Sequence, residues 1–244
     1  MVLLGFRRLP LFVGFALLHL SASVPAQAAI LTAIEDNNVL KSAANTVQGT
    51  IGSEGEQTSF SLKVASTGQG NARLGYLKFD LSSIAQSLAN EGTFTITSTA
   101  VNTTPYTLRV YALNSGDPNF NWSENTITYN NRPAFNNGSD PLVALANVTQ
   151  VGMDISVPTA TASSTPFSFS FADLENYRQS DDTLTFIAIV TTQTDNAPSF
   201  SFASSENSTA AIRPTLNVTA IPEPTTLDLL GFGLAGCILW RLRK

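Results

Sequence analysis

Short runs that alternate apolar and polar residues one for one recur along most of this chain, and they constrain its fold more than any other feature. "SFSLKV" sets Phe60, Leu62 and Val64 against polar neighbours, and "RLGYLKFDL" sets Leu77, Phe79 and Leu81 against Tyr76, Lys78 and Asp80. "YTLRVYAL" places Tyr106, Leu108 and Val110 on one face, and "PFSFSF" does the same with Phe167, Phe169 and Phe171. A period of two belongs to strands that bury one face. "TLTFIAIV" is continuously apolar and predicts a central strand covered on both sides, and "RPTLNVTA" predicts a last strand with Pro214 tolerated at its start. Two stretches have helical spacing, "LSSIAQSLAN" and "FADLENYRQS". Gly, Asn, Asp and Pro clusters separate the strands at intervals of about 8–12 residues. The pattern predicts an all-β fold: a single β-sandwich of jelly-roll type with one or two short helices.

The two ends of the chain are of a different character. Arg7 and Arg8 precede the apolar "LPLFVGFALLHL", and Ala26 and Ala28 supply a small-x-small cleavage pattern, so residues 1–28 read as a secretory signal peptide. At the other end stand Pro222, Glu223 and Pro224, a spacer, an apolar run from Leu227 to Trp240, and the basic "RLRK". That run has ~14 residues where a permanent span takes ~20, and Asp228 interrupts it. Basic residues after it would stay on the cytoplasmic side and pause export there. The expected divisions are 1–28, 29–220 and 221–244, with a short transmembrane segment over 227–240.

Absences narrow the chemistry of the middle part. The one histidine, His19, and the one cysteine, Cys237, both fall in the flanking segments. The sandwich therefore has no Ser-His-Asp or Cys-His nucleophile system and no imidazole or thiolate for zinc or iron. Between Ile30 and Ile221 there are 8 basic and 16 acidic residues, a net charge of −8. Such a surface is a poor partner for nucleic acid or anionic lipid.

Three segments in order carry a family resemblance: "RLGYLKFDLSSI", "WSENTITYNNRP" and "FSFASSENSTAAIRPTLNVT". Together they resemble the DNRLRE, or disaggregatase-related, domain over residues 34–219. Tyr129 stands where that family usually has a second Trp, and the region before Leu62 matches loosely. The resemblance implies a jelly-roll sandwich that binds carbohydrate without cleaving it, with alginate-like uronic polysaccharides as one ligand class. The C-terminal segment resembles the PEP-CTERM sorting signal. This implies an exosortase partner, transient inner-membrane association, and release to the cell surface or extracellular matrix of a Gram-negative, exopolysaccharide-making bacterium.

Individual residues leave alternatives open. Trp122 offers a face for stacking on a sugar ring, or a plug for the sandwich, with Glu124 and Asn131 tying its loop to backbone. Tyr76 and Lys78 have the parity opposite to Leu77 and Phe79, and Arg109 is opposite to Leu108 and Val110. A face of Tyr76, Lys78, Arg109 and Tyr111 is thus a candidate for binding carboxylated sugars, the other reading being a solvated polar sheet face. Glu35 and Asp36, in "EDNN", are candidate ligands for a structural calcium, or part of an Asx-rich turn; no cofactor is required. Asp80 and Ser82 read as a strand-ending cap. A glycosidase working through Asp80, Glu124 and Glu206, or a Tyr/Arg lyase, is the less favoured alternative to binding, since nothing in their spacing singles these groups out. A third alternative is a passive structural component of an exopolymer matrix.

Overall fold

A computed structural model of the chain describes residues 27–48, 58–63, 71–86, 90–136, 143–193 and 199–220. Among these residues eleven strands occur: β1 (Gln27–Thr32), β2 (Glu35–Leu40), β3 (Ser59–Leu62), β4 (Arg73–Asp80), β5 (Glu91–Thr97), β6 (Tyr106–Leu113), β7 (Val148–Val157), β8 (Pro166–Phe171), β9 (Thr183–Gln193), β10 (Phe200–Ala203) and β11 (Thr215–Ala220). A four-stranded antiparallel sheet in the order β1-β11-β5-β8 faces a five-stranded one in the order β2-β4-β9-β6-β7. This is an all-β sandwich, as the alternation requires. Residues 1–26, most of the signal peptide expected over 1–28, the Pro222-Glu223-Pro224 motif and the apolar run 227–240 lie outside the described residues. β1 pairs along β11 from Gln27↔Ala220 to Thr32↔Thr215, so it spans the expected cleavage point after Ala28.

Each sheet contributes its alternating apolar face to the space between them. Phe94 of β5 stacks on Phe186 of β9 at 4.3 Å, and Phe79 of β4 meets both rings edge-on at 5.9 and 5.8 Å. Such pairs each add about 0.5–1.5 kcal/mol beyond burial. Leu108, Val110, Phe167, Phe169, Leu216 and Val218 complete the inter-sheet core.

The "TLTFIAIV" run is indeed the middle strand, β9, and it is buried from Thr183 to Val190. Leu184, Phe186, Ala188 and Val190 face the inter-sheet core, whereas Ile187 and Ile189 face the other way into a second cluster. That second cluster, with Leu74, Tyr76, Tyr111 and Leu113, lies on the outer side of the five-stranded sheet. The segment between β6 and β7 covers it with Trp122, Ile127, Tyr129, Ala134 and Val143.

A corner piece links the sheets. β3 and β10 form a two-stranded ribbon, with Ser61 opposite Ser201 and Leu62 opposite Phe200. Lys63 bridges to Arg73 of β4, and Phe202 bridges to Ser98 beyond β5. The ribbon crosses so close to β4 that a Cβ on Gly75 would come within 2.7 Å of the Phe60 ring. On β7 the register against β6 shifts between Leu108 and Val110, and Gly152 takes φ +65° beside that shift, a left-handed conformation suited to a bulge.

Of the two stretches with helical spacing, "FADLENYRQS" forms a single 3-10 turn at Leu174–Asn176, and residues 81–86 form turns. Arg178 accounts for both. Its guanidinium donates to the carbonyls of Leu81 and Ile84 at 3.0 and 3.1 Å and holds Glu175 at 2.6 Å. Carbonyls engaged by this side chain do not carry a helix onward. Substituting Gly75→Val is expected to destabilise the domain by about 1–3 kcal/mol, read by chemical denaturation, because Phe60 would have to leave its place against Phe202.

Candidate functional site

The expected binding face divides into two places, and most of it is covered. The parity reading of β4 holds, since Tyr76 and Lys78 point away from Leu77 and Phe79. That side is not solvent, however. Tyr76 is 0 % exposed and its hydroxyl donates to the Pro133 carbonyl at 3.1 Å. Lys78 is 5 % exposed; its ammonium donates to the Trp122 carbonyl, sits 4.8 Å from that residue's ring centroid, and pairs with Glu35 at 2.9 Å. Trp122 packs edge-on against Tyr76 at 5.9 Å, and its indole N–H donates to Thr185 Oγ1 at 3.0 Å. These three residues lock the β6–β7 segment onto the sheet and have no face left for a sugar. The same segment is fastened at Asn37, which donates to the Glu124 carbonyl at 2.7 Å, and within itself by Asn131, which accepts from Thr128 and donates to Thr126. Arg132, fully buried, lies 3.7 Å from the Tyr129 ring centroid and 4.7 Å from that of Phe135.

Arg109 and Tyr111 stand two strands away from β4. Tyr111 is 5 % exposed and belongs to the outer cluster. Arg109 is half-exposed, but its fork closes on Asp154 of β7 at 2.8 and 2.6 Å, and it also donates to the Tyr111 hydroxyl at 3.3 Å. Those bonds hold the Asp154 carboxyl below the usual range, with the Arg109 side-chain bond as the main cause. A carboxylated ligand would have to displace Asp154. The proposed four-residue face is therefore replaced by one buried clasp and one internally paired arginine.

Glu35 and Asp36 belong to a strand, β2, and not to a turn. Neighbours on a strand point to opposite faces, and here Glu35 goes outward to Lys78 while Asp36 goes inward to accept the Ser205 N–H at 2.5 Å. They cannot both reach one cation. Among the described residues no group of three or more His, Cys, Asp or Glu is placed to hold a metal ion. Asp36 has an unusual environment nonetheless: burial, then the charges of Glu206 and Glu124, raise its carboxyl to about 7 against the opposing bonds from Ser205. Asp80 accepts the Ser82 N–H at 2.8 Å, the strand-ending cap expected from the sequence, and this bond holds its carboxyl low.

Most of the remaining cations are engaged too. Arg178 pairs with Glu175 and Asp182, and Arg213 donates to the Asn207 carbonyl at 2.7 Å. Lys63 and Arg73 differ. They are direct partners across the β3–β4 bridge, so two positive side chains start side by side, an arrangement that repels. Arg73 donates from Nη1 to Ser61 Oγ at 2.7 Å, while its buried Nε has no partner. Among the described residues neither Lys63 nor Arg73 has a carboxylate at ion-pair distance. Lys41 joins them at this end of the sheet, because its N–H donates to the Ala72 carbonyl and Leu40 is opposite Arg73. In a domain with twice as many acids as bases, this is a local concentration of positive charge that no carboxylate among the described residues neutralises. Arg73 has the same parity as Leu77 and Phe79, which points it toward the buried side, and no pattern in the sequence marks Lys63, whose place depends on the ribbon folding across β4.

Residues 29–220 match the family model for carbohydrate-binding module family 96, and residues 220–244 match that for the PEP-CTERM protein-sorting motif. No curated protein matches the chain. Among solved structures, the VP2 subviral particle of infectious bursal disease virus is similar at 12 % identity and a TM-score of 0.27, over 82 % of this chain and 39 % of that one. Among the described residues, no helix is long and apolar enough to cross a membrane.

Two measurements test this geometry. Trp122→Ala should cost about 3–5 kcal/mol in denaturant unfolding, as expected for a buried aromatic that pins a covering segment. Asp36 binds a proton more tightly when folded than when unfolded, so its contribution to stability is full below about pH 4 and is lost as pH rises toward about 7. Calorimetric melting of wild type and Asp36→Asn across that interval should show the wild type losing stability relative to the variant as pH increases.

Proposed function

We propose that this chain, which belongs to carbohydrate-binding module family 96, is an exported, non-catalytic protein that binds an acidic polysaccharide through Lys63 and Arg73. The observation that carries this reading is the like-charged pair itself. Two cations placed opposite each other, with no carboxylate at ion-pair distance among the described residues, gain most from an external anion. A uronic-acid carboxylate supplies it: Arg offers a planar fork and Lys a point charge, and charge-assisted bonds are the strong ones. The surrounding negative charge confines a polyanion to this end of the sandwich and makes binding sensitive to salt.

Family membership favours binding over catalysis, and the acids once considered for hydrolysis have other duties. Asp80 caps a turn, Glu124 accepts the Asp36 N–H at 3.4 Å, and Glu206 accepts from the Ser205 hydroxyl. The PEP-CTERM match over 220–244 favours export in a Gram-negative bacterium with transient inner-membrane retention. In this reading an exosortase acts near Pro222-Glu223-Pro224, and the sandwich, expected over residues 29–220, passes to the cell surface or exopolysaccharide matrix. A passive matrix component is the second reading. It is favoured by the outer face of the four-stranded sheet, where Thr93 and Thr95 bond Ser170 and Ser168 at 3.1 and 2.8 Å in an uncharged hydroxyl ladder.

Calorimetric titration with alginate separates the two. Saturable binding is expected, weakened about tenfold or more by Lys63→Ala and by Arg73→Gln and declining steeply with added salt. Saturable binding to no acidic polysaccharide would favour the passive reading, and binding unaffected by either substitution would remove these residues from the site.

A further inference from the structure

Next to the Lys63–Arg73 pair the chain has a pocket of about 180 Å³, walled by the β5–β6 connection and the edge of β10. Ser98, Asn102, Thr103, Thr161 and Ser201 line it, over the rings of Tyr106 and Phe200, whose centroids are 3.6 Å apart. The route between the two places is short and continuous. Arg73 holds Ser61, Ser61 is the cross-strand partner of Ser201, and Ser201 is part of the pocket wall. Two strand spacings, ~10 Å, separate β4 from β10. The volume is below the ~300 Å³ at which drug-sized sites begin, so it suits one sugar unit and not a length of chain.

Among the described residues, no charged one lines this pocket. Burial pushes the Tyr106 phenol up to about 12, so it stays neutral as well. A carboxylate placed there would lose water without gaining a counter-charge, which is costly, whereas hydroxyl and amide groups find donors and acceptors. The wall also contains an unexplained cost. Asn102 is 8 % exposed, with its Nδ2 donating to the carbonyls of Thr104 and Pro158, yet its buried Oδ1 and the buried Thr104 hydroxyl have no partner. Native loops seldom leave such atoms unsatisfied.

Resting on the reading that Lys63 and Arg73 grip a uronate, we infer that the pocket takes an uncharged sugar unit adjoining it. The ligand class is then a heteropolysaccharide that juxtaposes charged and neutral units, in preference to a homopolymer of uronic acid. The positive pair selects one unit and the uncharged pocket excludes a second carboxylate from the next.

The test compares two tetrasaccharides by calorimetry, one alternating glucuronate with N-acetylglucosamine and one of mannuronate alone. Wild type should bind the alternating ligand roughly tenfold tighter or more, because the homopolymer must desolvate an unpaired carboxylate. Val101→Trp, at a rim position that is 57 % exposed and so carries no folding risk, should block the pocket and abolish that preference while sparing the weaker mannuronate binding. Lys63→Ala should weaken both ligands. Equal affinities, or a preference untouched by Val101→Trp, would overturn the pocket assignment and leave the uronate grip standing. Binding of neither ligand, or binding indifferent to Lys63→Ala, would sink the grip and the pocket assignment together.

Discussion

A strand with no polar face governs this molecule. β9 is apolar on both sides, and the strands that flank it, β4 and β6, are largely so. A sheet of that kind has to be covered twice, at about 25 cal/mol for each Å² of apolar surface removed from water. The four-stranded sheet covers one side. The other is covered by an irregular segment between β6 and β7, and irregular chain gains little from backbone pairing. Its anchorage is therefore made by side chains: Trp122 to Thr185 and Tyr76, Lys78 to Glu35, Asn37 to the Glu124 carbonyl. The aromatic and cationic residues that would suit a sugar-binding face are consumed in holding this cover down.

Much of the architecture was legible from the sequence. The alternating runs became β3, β4, β6 and β8, the apolar run became the central strand, and "RPTLNVTA" became β11 with Pro214 just before it. β2 was not legible, because Asp36, Asn37 and Asn38 suggest a turn; they are accepted in a strand because all three are buried and Asp36 and Asn37 bond to distant segments, at Ser205 and Glu124. β7 was hidden by its bulge at Gly152, which breaks the period of two.

The site was harder to read than the fold for a related reason. Parity identifies which residues share a face of Lys78 and Tyr76, but whether that face meets water depends on a segment some fifty residues further along. Likewise, Lys63 and Arg73 are ten positions apart with nothing periodic between them. Only the crossing of the β3–β10 ribbon over Gly75 makes them neighbours. Electrostatics then sorts the cations: those inside find carboxylates or aromatic rings, and those at the ribbon end have no carboxylate at ion-pair distance among the described residues.

β1 and β11 are paired through Gln27 and Ala220, so the two termini of the sandwich leave it side by side, at the end of the four-stranded sheet where β5 begins with Glu91. The pocket wall at Ser98 follows the opposite end of β5. Six residues of strand, ~20 Å, therefore separate the two termini of the sandwich from the rim of that pocket. A chain held by either terminus is thus held at the end of the sandwich remote from that rim, where the hold and the pocket do not compete for surface.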